Sequence, residues 1–140
     1  MLVRRSITAT AVLALVVLLG ACGQSAAPSA GTITVTMTDK EIRLSETAVN
    51  AGLYTFDVIN KGTVVHSLVL MRTDVPHDKM PADPADASKV KETGTIAATG
   101  QMAVGASKQM SRQLAAGQYV IVCNEPAHYL VGMHVALVVK

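Results

Sequence analysis

Three side chains that commonly bind metal ions follow one another at five-residue steps near the C-terminus. Cys123, His128 and Met133 lie in the segment YVIVCNEPAHYLVGM. A thiolate, an imidazole and a thioether are the soft and borderline donors that favour copper. The residue types and their spacing therefore predict a copper-binding loop.

A further histidine is needed, because the common electron-transfer copper site combines two histidines, a cysteine and a weak axial methionine. His66 supplies it from a separate strand-like run, VVHSLVL. A single cysteine after an apolar run is more often a small buried hydrophobe than a ligand. Three donors in one short loop and a fourth on another strand favour a metal site over packing alone. The candidate ligands are therefore His66, Cys123, His128 and Met133.

The elements that must position these donors are short strands. Residues 32–38 alternate threonine with Ile33, Val35 and Met37, a pattern typical of a half-buried strand. Runs at 53–60 and 63–72 are separated by a glycine-containing turn. Further strand signals lie at 42–44, 93–98, 108–114, 118–123 and 133–139. Seven or eight short strands without a long amphipathic helix predict an all-β fold, an antiparallel Greek-key β-sandwich.

Residues 73–92 interrupt this pattern with three prolines and four aspartates. They predict an irregular excursion that contains at most a short helix at about 85–92. His77 and Met80 fall in this excursion, where a solvated loop is the expected setting and a transient copper contact is the alternative. His134 follows Met133 and should point to the opposite face of its strand, so we expect a surface or capping histidine there.

The N-terminal segment has the features of a targeting signal. Arg4 and Arg5 precede an apolar stretch at 7–19, which is short for a permanent membrane span. The sequence Leu19-Gly-Ala-Cys22 resembles a bacterial lipobox, and that resemblance implies cleavage before Cys22 and attachment of lipid to its sulfur. The alternative is an ordinary secretory signal that is cut nearby.

These features divide the chain into a signal peptide at 1–21, a flexible tether at 22–31 that is rich in small residues, and a domain at 32–140. Lipidation of Cys22 would leave one cysteine in the domain, which excludes an internal disulfide. Loss of the signal would also leave ten basic and ten acidic residues. A near-neutral domain with few aromatics and no basic cluster argues against nucleic-acid binding.

From about residue 33 to the C-terminus the chain resembles the cupredoxins, the small blue-copper proteins. The most specific match is Cys123-x4-His128-x4-Met133, which is similar to the rusticyanin and sulfocyanin branch. A looser match is AGLYTFDVINKGTVVH, which ends at His66. The resemblance implies one type 1 copper ion with His66, Cys123 and His128 as equatorial ligands and Met133 as the axial ligand. Ala127 stands where many members have glycine.

The resemblance also implies a function. We expect a membrane-tethered, extracytoplasmic monomer that transfers single electrons between redox proteins such as respiratory-chain components. The alternative is a lipoprotein that carries or stores copper. An enzyme is not expected, because copper oxidases and nitrite reductases need His-x-His pairs or further domains, and this chain has neither.

Overall fold

The computed structural model describes residues 30–140, which form nine β-strands and one 3-10 turn. The predicted signal peptide, Cys22 and nearly all of the tether lie outside these residues. The strands are β1 (Gly31–Met37), β2 (Ile42–Leu44), β3 (Ala48–Val49), β4 (Gly52–Asn60), β5 (His66–Arg72), β6 (Thr95–Met102), β7 (Ser107–Leu114), β8 (Gly117–Val122) and β9 (His134–Val139), and the 3-10 turn is Tyr129–Val131.

The strands form two sheets. The first has the order β2-β1-β4-β7 and the second the order β3-β9-β8-β5-β6. The predicted all-β sandwich is confirmed, and the two-residue strand β3 raises the strand number to nine. Two neighbouring pairs, β1 with β4 and β3 with β9, are parallel, so both sheets are mixed. The chain passes through β2 and β3 between β1 and β4, and this long connection lets β4 run beside β1 in the same direction.

The core between the sheets follows from the period of two along the strands. Ile33, Val35 and Met37 of β1 and Phe56 and Val58 of β4 are fully buried, while the residues between them are only partly covered. Successive side chains of a strand point to opposite faces, so one face of each strand lines the core. The alternation seen in the sequence is thus the inward face of the first sheet.

Strand β5 differs, because His66 to Met71 are all buried. Its second face is covered by the excursion at residues 73–92, where Met80 and Val90 pack against Val69, Met71, Val120 and Val122 in a second apolar cluster. The excursion therefore covers the second sheet through Met80 and Val90, while most of its other residues are exposed.

No helix forms at residues 85–92, so the excursion is irregular throughout. The side chains of Asp83 and Asp86 accept hydrogen bonds from the backbone N–H groups of Ala85 and Ser88, at 2.8 and 3.0 Å. Such local bonds hold the backbone in turns in place of a helix. Within residues 30–140, no helix has the length and apolar character needed to cross a bilayer.

Candidate metal centre

Two imidazole nitrogens and one thiol sulfur converge at one end of the sandwich. His66 Nδ1 lies 3.1 Å from His128 Nδ1, and Cys123 Sγ lies 3.7 Å from the first and 3.3 Å from the second. Among the described residues, these three form the one group of at least three histidine, cysteine and acidic side chains that could hold a metal ion. The structure thus brings together three of the four candidate ligands through their donor atoms.

Met133, the fourth candidate, is fully buried beside this group. Its carbonyl accepts a hydrogen bond from the N–H of Cys123 at 3.0 Å, and its N–H donates to the carbonyl of His128 at 3.1 Å. These bonds close the loop between β8 and β9. The backbone of Met133 is therefore tied to the two loop donors.

The loop depends on a residue with a left-handed backbone. Ala127 has a φ of 66°, the one positive φ of a non-glycine residue in the described part of the chain. Its N–H donates to the carbonyl of Ser88 at 2.8 Å, so the excursion supports the loop. An alanine with a left-handed backbone is mildly strained.

Strands β5 and β8 position His66 and Cys123. His66 is the first residue of β5, and Cys123 directly follows the last residue of β8, its neighbour in the second sheet. The N–H of Ser67 donates to Cys123 Sγ at 3.4 Å. This hydrogen bond orients the sulfur and favours its anionic form.

Asp39 is a residue of the site that sequence analysis missed. Its Oδ1 lies 3.2 Å from Nε2 of His66, and the carboxylate also accepts hydrogen bonds from the N–H and the hydroxyl of Thr63, both at 2.7 Å. The bonds from Thr63 lower the pKa of Asp39 to about 2, so the group is ionised at neutral pH. A carboxylate at Nε2 keeps the proton on that nitrogen and leaves the Nδ1 lone pair free for a metal.

The turn between β4 and β5 makes the Asp39 contact possible. The buried side chain of Asn60 donates to the carbonyls of Val64, Met102 and Ala103 and accepts from the N–H of Gly62. A Cβ atom at Gly62 would overlap both the carboxylate of Asp39 and Nε2 of His66. Glycine is needed here for space, and the turn carries the chain from the first sheet to the second.

The protonation of the donors suits a cation. Burial raises the pKa of the Cys123 thiol, so its anionic form needs a nearby positive charge. Burial, together with the nearby charge of His66, lowers the pKa of His128 and keeps its imidazole neutral. A neutral imidazole and a thiol that loses its proton to a metal ion are the forms that metal binding requires.

The distances between the donor atoms also fit a copper ion. Bonds of about 2.0–2.3 Å in a trigonal plane place ligand atoms roughly 3.5–3.8 Å apart. The observed separations of 3.1, 3.3 and 3.7 Å need only small adjustments. The donor set, one sulfur and two imidazoles with a thioether nearby, is the one that copper prefers.

The other two histidines lie apart from this group. His134 is half-buried on β9, and its Nδ1 lies 2.7 Å from Nδ1 of His77 in the excursion. His134 thus caps the excursion and is not one of the convergent donors. His77 is half-buried as well, in contrast to the predicted solvated loop. Met80 is buried in the second apolar cluster, which makes it a packing residue.

Comparisons with known proteins agree with this fold. A family model described as the sulfocyanin (SoxE) domain matches residues 10–140. The solved structure of auracyanin B is 24% identical, with a TM-score of 0.61, over 82% of this chain and 92% of that chain. A search of curated proteins finds no match.

Two further structures are similar. Reduced auracyanin from Roseiflexus castenholzii is 25% identical, with a TM-score of 0.58, over 81% of this chain and 99% of that chain. Rusticyanin from Thiobacillus ferrooxidans is 18% identical, with a TM-score of 0.58, over 78% of this chain and 77% of that chain.

The mixed β-sandwich with a Cys–His–His donor group at one end defines the class of blue-copper electron-transfer proteins, the cupredoxins. Within that class, the chain belongs to the sulfocyanin family. Its cofactor is accordingly one type 1 copper ion, and its activity is electron transfer rather than enzymatic catalysis.

Proposed function

We propose that this protein is a membrane-tethered, extracytoplasmic electron carrier that binds its copper through His66, Cys123, His128 and Met133. The observation that carries the proposal is the convergence of the first three donor atoms within 3.7 Å at one end of the sandwich. Met133 joins them as the axial ligand because it is buried and its backbone is hydrogen-bonded to the backbones of Cys123 and His128.

The copper ion, when bound, supplies a one-electron couple between Cu(II) and Cu(I). The protein holds the four donor side chains in the same positions for both oxidation states of copper. His66, Cys123 and Met133 are 0% exposed, and two neighbouring strands of one sheet hold the first two. A buried, hydrogen-bonded donor set moves little when an electron arrives, and it excludes water. Because the copper site changes its geometry little, its reorganisation energy is small, which favours fast electron transfer.

Electrons enter or leave through His128 in this proposal. His128 is half-buried, whereas the other three donors are fully buried. Its loop exposes Leu130 and Val131, at 68% and 57%, and Val64 and Val65 are exposed just before His66. An apolar surface of this kind suits brief docking, because it lacks the charge pairs that prolong a complex. The partners are redox proteins such as respiratory-chain components, and the carrier acts as a monomer.

A copper carrier or storage protein is the second candidate. Metal hand-over needs ligands that an acceptor can reach and replace one after another. Three fully buried donors oppose such exchange, so the closed site favours electron transfer.

The two functions differ in what leaves the protein. We expect the copper-loaded protein to lose and regain its colour over repeated cycles with an inorganic reductant and oxidant, while its copper content stays constant in the presence of a Cu(I) chelator. Stopped-flow absorbance and metal analysis give both quantities. Transfer of copper to the chelator faster than reoxidation would instead support the carrier function.

Membrane attachment is proposed through lipid on Cys22, with a signal at 1–21, a tether at 22–31 and the copper domain at 32–140. The lipobox-like sequence and the small-residue tether support it. Strand β1 begins at Gly31, so the tether would lead directly into the first sheet. Two or more acyl chains give stable anchoring, since each buried methylene contributes about 0.8 kcal/mol.

Cys22→Ala is therefore expected to abolish lipid attachment at residue 22 in a bacterial host that processes lipoproteins. The variant should accumulate as unprocessed precursor or as soluble protein, because no sulfur is available for lipid. Fractionation and mass spectrometry of the N-terminal peptide measure this, with Cys123→Ser as the control that keeps the anchor. A mature form of the parent without lipid on this peptide would refute the anchor.

A further inference from the structure

A second pair of histidines lies outside the copper donor group. His77 in the excursion and His134 on β9 are 57 residues apart in the chain, yet their Nδ1 atoms are separated by 2.7 Å. The ring centroids are 4.9 Å apart, with the ring planes inclined at 46°. Neither residue has a role in the proposed electron transfer.

Tyr129 holds the pair in place. Its hydroxyl donates to the carbonyl of His77 at 2.9 Å and accepts from the N–H of Met80 at 3.0 Å, so it fixes the backbone on both sides of Asp78. Its ring also lies 4.7 Å from the ring of His134. The two imidazoles are thus brought together by contacts from the excursion, the 3-10 turn and β9, and not by chance proximity of exposed side chains.

The pair has the chemistry of metal ligands. Both Nδ1 atoms lie at hydrogen-bond distance, where one ring donates a proton and the other accepts it. A divalent ion bonded to two nitrogens at about 2.0–2.1 Å sets them roughly 2.9 Å apart in a tetragonal geometry and roughly 3.3 Å apart in a tetrahedral one. A small opening of the contact would let an ion take the place of that proton, and the ring that donated it would carry its proton on Nε2 in the other neutral tautomer.

We propose that His77 and His134 form a second metal site that takes a borderline divalent transition ion such as Cu²⁺ or Zn²⁺ through their Nδ1 atoms. Water completes the coordination, and the charge of exposed Asp78 favours the cation. The ion would lie beside the copper loop, because His134 follows Met133 and Tyr129 follows His128. The site would be more accessible than the copper centre, since both histidines are partly exposed.

Electron paramagnetic resonance tests the proposal on the full chain with its first copper bound. A second equivalent of Cu²⁺ should add the signal of tetragonal copper with imidazole nitrogen, distinct from the signal of the blue site. His77→Ala and His134→Gln should each remove the added signal. Lys79→Ala, in the same segment but outside the pair, should keep it. Retention of the blue colour shows that each variant is folded around its first copper.

Two results would overturn the proposal. One is a parent protein that takes up no second Cu²⁺ beyond what His77→Ala takes up. The other is a second signal that persists unchanged in the double variant His77→Ala, His134→Gln. Competition with Zn²⁺ adds a check that does not depend on colour, since Zn²⁺ bound at this pair should suppress the second Cu²⁺ signal while the blue signal remains.

Discussion

Cys123→Ser is expected to abolish the visible colour of the copper-loaded protein. The colour of a blue site comes from charge transfer between thiolate and copper, and a serine hydroxyl stays protonated and cannot replace the thiolate. The buried position gives a water molecule little room to act as a substitute, because Cys123 and His66 are fully buried. Copper affinity should fall as well. An optical spectrum after addition of one equivalent of Cu²⁺ measures the result.

Met133→Leu is the matched control, because it removes the axial donor and leaves the thiolate. Its colour should persist, and its reduction potential should rise, since an apolar side chain disfavours the higher charge of Cu(II). A Cys123→Ser protein with the spectrum of the parent would refute the ligand assignment. An unshifted potential in Met133→Leu would mean that Met133 only packs.

Asp39→Asn is expected to raise the reduction potential by tens of millivolts with the colour retained. The carboxylate lies at Nε2 of His66, one imidazole ring away from the Nδ1 atom that faces the metal. A negative charge at this distance stabilises Cu(II) over Cu(I), and its removal reverses that preference. Asparagine keeps an oxygen that can accept from Thr63 and His66, so the geometry should survive. Voltammetry of the parent and the variant gives the shift.

Asp57→Asn serves as the control, since it removes the same charge from the outward face of β4. Asp39→Ala should go further and lower copper affinity by about 10- to 100-fold, because the imidazole then loses its orienting partner. If Asp39→Asn and Asp57→Asn move the potential equally, the carboxylate of Asp39 has no specific influence on the site.

Much of the fold follows from local patterns in the sequence. The alternation at 32–38 corresponds to β1, and the apolar run before Cys123 corresponds to β8. The loop donors could be recognised for a similar reason, since Cys123, His128 and Met133 are close in the chain and a short loop keeps them close in space. The choice of these residues as ligands stays a prediction.

Other features depend on contacts that local patterns do not specify. Strand β5 lacks alternation because the excursion covers its second face, and nothing within residues 66–72 indicates which segment does so. The parallel pairing of β1 with β4 likewise depends on the route of the chain through β2 and β3. Proline-rich and aspartate-rich sequence predicted a solvated loop at 73–92, and most of these residues are exposed, but packing of Met80 and Val90 also makes the loop cover the second sheet.

The sequence by itself determined the class of this protein, because the donor types and their spacing in one loop suit copper and the period of two in its strands suits a sandwich. Only the tertiary structure decided which polar residues support the donors. Asp39 meets His66 across 27 residues of sequence, and His77 meets His134 across 57. Each contact requires that two separate segments be brought together by the packing of the sheets. The local sequence around either residue does not specify which distant segment it will contact.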